Sequence, residues 1–179
     1  MSGLEETLRR IVSLLDEKRV DYMLIGGYAL PHYGRVRVTL DIDIAAAIPN
    51  EEVFQALCGE AEKQGYSVYL GSYENPVCLF HDRVTGYEVE VWTRPDGVEW
   101  NHETLERRRK FGVGGVDVWV VSPEDFIVSK LARPDRGVVD EQDVKSVLER
   151  NDVKLDWRCL EERAERAGVL ALLETIRGV

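Results

Sequence analysis

Leu4, Leu8, Ile11, Val12 and Leu15 recur at helical spacing, with Glu5, Glu6, Arg9, Arg10 and Asp16 opposite them. This pattern predicts an amphipathic opening helix. Tyr22-Met23-Leu24-Ile25 is a short apolar run ending at Gly26-Gly27, which reads as a buried strand. A brief helix follows before Gly34, held to about a turn by Pro31. From Arg35 to Ile44 the chain alternates with period two. One face carries Arg37, Thr39, Asp41 and Asp43 and the other Val38, Leu40, Ile42 and Ile44, so a strand is predicted over the whole stretch. Pro49 and Asn50 break it, and 51–64 reads as a second amphipathic helix. Strands are predicted at 67–70, 77–81 and 87–92, joined by turns containing Gly and Asn. In the turn Thr93-Arg94-Pro95-Asp96-Gly97, Pro95 presets one dihedral and Gly97 accepts positive φ. A helix ending in Arg107-Arg108-Arg109-Lys110 then leads to a strand near 116–121.

The last third reads differently. Ser122-Pro123-Glu124-Asp125 joins a capping hydroxyl, a proline at the first helical position and an acid three residues after the cap. Helices are predicted at 123–133, 139–150, 156–167 and 169–177. The fold class is α+β: a mixed-sheet body over 1–121, with a helical region over 122–179 packed on it as one compact unit.

Composition narrows the function classes. The 179 residues carry a formal net charge of -10, which argues against a broad basic face for duplex DNA and leaves only a local basic groove open. Cys58, Cys78 and Cys159 are scattered and odd in number, so a disulfide framework is not expected and a reducing cytoplasm is. No apolar run approaches the ~18 residues of a membrane span. The opening MSGLEETLRRIVSLL is too acidic and amphipathic for a secretory signal. His32, His81 and His102 lie far apart and do not suggest zinc.

The candidate chemistry starts at Asp41-Ile42-Asp43. Residues i and i+2 of a strand project to one side with Cα atoms roughly 6.5 Å apart. Carboxylates so placed suit hard divalent cations, which sit ~3.5–4 Å apart in two-metal centres. Taken alone, the pair is equally a polar strand face. Gly26-Gly27 ends a strand and opens a helix, where a close backbone approach and helix-start amides suit phosphate oxygens; alone it is equally a turn. In Tyr87-Glu88-Val89-Glu90-Val91-Trp92 both Glu88 and Glu90 are candidates for a third carboxylate, and Glu90, flanked by apolar residues, is the better one.

The series Gly26-Gly27-Tyr28-Ala29, Tyr33-Gly34, Arg37, Thr39, Asp41 and Asp43 resembles motif one of the DNA-polymerase-β-like nucleotidyltransferase superfamily. It looks most like the AbiEii/minimal nucleotidyltransferase branch, which includes toxin components of toxin–antitoxin and phage-defence systems. Ser122-Pro123-Glu124-Asp125-Phe126-Ile127 with Lys130-Leu131-Ala132 is similar to that branch's lysine-bearing helix, and Arg136, Asp140 and Asp143 to its later Arg…Asp…Asp motif. Where that motif often begins with lysine this chain has Val139, and Glu90 stands where aspartate is usual.

The resemblance implies a polymerase-β-like fold and transfer of a nucleoside monophosphate from ATP or another nucleoside triphosphate to an acceptor hydroxyl. It implies two Mg²⁺ ions, or Mn²⁺, on Asp41, Asp43 and Glu90. Gly26, Gly27, Arg37, Thr39, Lys130 and Asp140 would bind the nucleotide. The acceptor it allows is an RNA end such as tRNA, a protein or a small molecule, and it raises an antitoxin partner. A non-catalytic nucleotide-binding module and a metal-dependent phosphohydrolase are the other readings. The basic run Arg107–Lys110 is either a solvated helix end or a phosphate-backbone contact.

Overall fold

The computed structural model describes residues 2–178. Along the chain run α1 (Gly3–Glu17), β1 (Tyr22–Leu24), α2 (Gly26–Tyr33), β2 (Ile42–Ala46), α3 (Glu51–Lys63), β3 (Tyr66–Tyr69), β4 (Val77–Asp82) and β5 (Glu88–Trp92). There follow α4 (His102–Arg107), β6 (Arg109–Val113), β7 (Val116–Val120), α5 (Pro123–Ala132), α6 (Val138–Leu148), α7 (Trp157–Arg166) and α8 (Leu170–Arg177). The strands make one mixed sheet in the order β3-β4-β5-β2-β1-β7-β6. Its centre, where β2 runs parallel to β5 and antiparallel to β1, carries the expected α+β architecture.

Local chemistry explains the element ends. Ser2 and Glu5 close a capping box on α1, Asn50 caps α3, and Ser122 caps α5 with Pro123 behind it. α2 runs two turns rather than one, because Pro31 falls in its last turn and Gly34 closes it through a 2.7 Å bond to the Leu30 carbonyl.

Two expectations need correction. The strand expected from Arg35 onward begins only at Ile42. β1 departs after Leu24, opposite Ile44, and β5 begins at Glu88, so residues 35–41 have no strand on either side to pair with. Val36, Val38 and Leu40 are consequently exposed. The helix expected to end at Lys110 stops at Arg107, and Arg109–Val113 is the edge strand β6. Gly114 and Gly115 take φ of 57° and 78° in the tight turn that folds β6 onto β7; two positive dihedrals in a two-residue loop are what a twisted hairpin demands.

One hydrophobic cluster runs from Leu8 on α1 through the sheet to Val144, Leu160 and Leu173. Polar bonds also join α2 to the residue after β7, and α5 to the start of α7. Tyr33 donates to the Val121 carbonyl at 2.8 Å, and the Glu124 carboxylate accepts from the Asp156 amide at 2.8 Å. The most enclosed ion pair joins Arg163 of α7 to Asp125 of α5 at 2.7 Å, with Thr104 accepting from the same guanidinium at 3.1 Å. Removing one partner of such a pair strands a buried charge. Asp125→Ala is therefore expected to cost about 3–5 kcal/mol of stability, read by chemical denaturation; a loss below about 1 kcal/mol, the worth of a surface pair, would show that Arg163 finds other compensation.

Candidate active site

β2 reads Ile42-Asp43-Ile44-Ala45-Ala46, and Asp43 is its one ionisable residue among buried neighbours. A carboxylate in mid-sheet loses hydration and needs a compensating partner. The parallel register places Glu90 of β5 directly beside it. Burial pushes both carboxyls above the ordinary carboxylate range. For Glu90 the neighbouring Asp43 charge pushes the same way. Such a pair titrates as a unit, each carboxyl resisting ionisation of the other. The Trp92 indole donates to Glu90 at 3.1 Å and fixes its orientation.

The pair opens into a cleft of about 260 Å³. Gly26, Gly27, Arg37, Thr39, Asp41, Asp43, Glu90 and Lys130 all line it. The glycines are there for space. Gly26 has φ +61°, and a Cβ on it would stand 2.0 Å from Asp43 Oδ2. A Cβ on Gly27 would stand 2.6 Å from Thr39 Oγ1 and 3.2 Å from an Arg37 nitrogen. The backbone at the start of α2 is thus pressed against Asp43, Thr39 and Arg37.

Lys130 is only 5% exposed and does not extend to solvent. Its ammonium donates to Asp140 at 2.9 Å and lies 3.5 Å from Asp143. Asp140 does not line the cleft; it stands behind Lys130, where it also accepts from the Gly137 amide at 3.1 Å. Burial opposes its charge, but the Lys130 and Gly137 bonds outweigh that and hold the carboxyl below its ordinary range. Glu88 falls outside the cleft, with its side chain 57% exposed and 3.8 Å from His81. Arg136 donates to the Leu131 carbonyl at 2.7 Å, again away from the cleft. Val139 is exposed at the surface.

Sequence reasoning did not single out Trp92, Pro95, Asp96, Ser129 and Arg133 as cleft residues. Two of them carried a readable signal. Trp92 is i+2 from Glu90 on one strand face, and Arg133 follows Lys130 by three along α5. The basic run contributes nothing here. Arg107 pairs with Glu124 and Asp156, and Arg108 donates to the Tyr22 carbonyl and to Asp21.

The donor set bears on whether a cation fits. Among the described residues no three His, Cys, Asp or Glu side chains form a ready-made cage. Magnesium, however, is commonly held by one or two carboxylates together with substrate phosphates. Asp43 and Glu90, side by side in the sheet with Asp41 lining the same cleft, suit that mode; Lys130 is already bonded to Asp140.

The sheet, its covering helices and this cleft define a nucleotidyltransferase fold. The chain superposes on the lincosamide antibiotic adenylyltransferase LnuA, lincomycin-bound, with TM-score 0.55 and 16% identity over 80% of this chain and 96% of that one. An antigenic nucleotidyltransferase-like protein from Paracoccidioides brasiliensis gives TM-score 0.57 and 17% identity over 98% and 93%. ANT(2")-Ia in complex with adenylyl-2"-tobramycin gives 0.53 and 18% over 96% and 97%. No curated protein matches the sequence. The family described as Nucleotidyl transferase of unknown function (DUF2204) matches residues 4–168, and the chain belongs to it.

The raised carboxyls give a testable sign. A folded carboxyl that titrates above its unfolded counterpart stabilises most at low pH and loses that contribution as pH rises through its folded titration. A divalent cation bound at the pair would compete with protons for the same carboxylates, so its stabilising effect would grow with pH. Mg²⁺ or Mn²⁺ is expected to raise Tm more at pH 8 than at pH 5, and the difference should vanish in Asp43→Asn/Glu90→Gln. Equal shifts at both pH values would contradict a site on this pair.

Proposed function

We propose that the protein transfers a nucleoside monophosphate from a nucleoside triphosphate to an acceptor hydroxyl, with divalent-cation assistance. One observation carries the reading: the Asp43–Glu90 pair opens into the same cleft as the Gly26-Gly27 turn, Arg37 and Lys130. Acid pair, tight glycine turn and two cations are the parts that phosphoryl chemistry requires, and they come from four separate stretches of chain.

In this reading the triphosphate lies over Gly26 and Gly27, where no side chain intervenes. Arg37 and Lys130 meet its negative charge, and Thr39 adds a hydroxyl. Asp41, Asp43 and Glu90 would hold Mg²⁺ or Mn²⁺, which supplies charge neutralisation at the transferred phosphorus. Glu90 is the general base. In its ionised form it has a higher proton affinity than an ordinary carboxylate, because of burial, and it sits, oriented by Trp92, one strand further from the glycine turn than Asp43. The acceptor hydroxyl delivers its proton to Glu90 as its oxygen attacks the α-phosphorus and pyrophosphate leaves. Catalysis is then mostly positioning and electrostatics. Asp140 serves the nucleotide indirectly, by holding Lys130.

The donor reading as ATP is supported by the adenylyltransferases among the fold neighbours. For the acceptor, charge favours a protein or small-molecule hydroxyl over RNA. The lining carries Asp41, Asp43, Glu90 and Asp96 against Arg37, Lys130 and Arg133, which are themselves paired with Asp143, Asp140 and Asp135, and the one basic run has Arg107 and Arg108 engaged in structural bonds. A polyanionic acceptor meets no free basic track there. A toxin–antitoxin or phage-defence role, with an antitoxin partner, rests on the motif resemblance alone.

A label-transfer assay tests the proposal: α-³²P-labelled nucleoside triphosphates, Mg²⁺, and an extract split into RNA, protein and small-molecule fractions. Label is expected in the protein or small-molecule fraction, with pyrophosphate released, and none with Asp41→Ala/Asp43→Ala. Glu90→Gln is expected to lower kcat by about 10²–10⁴-fold, the usual worth of a general base. Release of inorganic phosphate without labelled acceptor would assign a phosphohydrolase instead, and nucleotide binding with no turnover a non-catalytic module.

A further inference from the structure

Arg37, Thr39 and Asp41 reach the cleft from a stretch, 35–41, that has no strand beside it. Among the described residues no backbone–backbone hydrogen bond reaches 36–40. Burial does not hold it either, since Val36, Val38 and Leu40 are 83%, 85% and 68% exposed. An extended segment without ladder bonds or core contacts has little to offset the entropy of fixing its backbone.

Its anchor is on α6. The Arg35 guanidinium reaches Asp143 at 2.8 Å and the Arg37 guanidinium reaches the other oxygen at 3.3 Å. The Arg35 amide donates to Ser146 Oγ at 3.0 Å, and that hydroxyl in turn donates to the Asp143 carbonyl at 2.7 Å. Asp143 is fully buried, and Lys130 approaches it at 3.5 Å. Three cations from two separate stretches therefore converge on one carboxylate, and two of them line the cleft.

We propose that Asp143 is a positioning residue for nucleotide binding. It clamps the 35–41 stretch to α6, so that Arg37, Thr39 and Asp41 are presented together, and it holds Arg37 and Lys130 on one wall of the cleft. The nucleotide part of this inference rests on the function proposed above; the clamp does not. Bonds to a buried charge that fix two donors at once confer both affinity and geometry.

Asp143→Asn keeps the shape and removes the charge. In this variant, with folding verified by its melting transition, native-state trypsin cleavage after Arg35 and Arg37 is expected to accelerate about tenfold or more, since a charged hydrogen bond is lost at each arginine. The Kd for an α,β-methylene analogue of ATP with Mg²⁺ should weaken by about tenfold on the same grounds. Asp143→Glu should recover part of the affinity. If Asp143→Asn does not fold, Arg35→Gln carries the test, because Asp143 keeps Arg37 and Lys130; cleavage after Arg37 and the Kd should then move the same way by less. Unchanged cleavage in a folded variant overturns the clamp, and faster cleavage with unchanged nucleotide affinity overturns the positioning role. A wild-type protein that binds no nucleotide overturns the function proposed above, while the cleavage arm still decides the clamp.

Discussion

Two carboxylates in contact at the middle of a sheet set the terms for the rest of the molecule. The parallel pairing of β2 and β5 aligns Asp43 with Glu90, and neither side chain can leave without breaking the register that buries Ile42, Ile44, Val89 and Val91. Like charges held so close resist joint ionisation, and burial adds to that resistance. A stability-driven sequence would place apolar residues at both positions. Retaining the acids is a cost that the cation and nucleotide of the proposed function would remove.

The surroundings make sense as accommodation of that pair. Gly26 leaves room for the Asp43 carboxylate, and Gly27 for Thr39 and Arg37. The positive groups of the cleft are not left bare. Lys130 rests on Asp140, Arg37 on Asp143, and Arg133 on Asp135. This second row of carboxylates aims the cations and limits their cost in the partly buried wall. It also explains how a chain of net charge -10 can offer positive groups to a phosphate at one place without an extended basic face.

Much of this was legible before any coordinates. Period-two alternation put Asp41 and Asp43 on one face of their stretch and Glu88 and Glu90 on one face of theirs, and the capping pattern at Ser122–Asp125 marked where the helical third begins. Alternation alone could not tell a paired strand from an extended segment. Residues 35–41 carry the right period, but whether a neighbour lies alongside depends on where β1 and β5 start and stop. Arg107–Lys110 misled for a related reason. Its four positive charges suggested a helix end, whereas the Gly114-Gly115 turn six residues after Arg108 dictated a hairpin. The partners of Lys130 were visible as residues on a helical stripe, yet the bonds from Asp140 and Asp143 link α5 to α6 across a loop and follow only from packing.

The central claim is that the Asp43–Glu90 pair becomes a cation site when a nucleotide is present, rather than serving as a fixed structural contact. The most direct measurement is electron paramagnetic resonance of Mn²⁺ titrated into the protein, with and without a non-hydrolysable nucleoside triphosphate analogue. The account predicts Mn²⁺ binding that tightens when nucleotide is added, and loss of that ternary signal in Asp43→Asn. Mn²⁺ binding indifferent to nucleotide, or a ternary signal that survives Asp43→Asn, would contradict it.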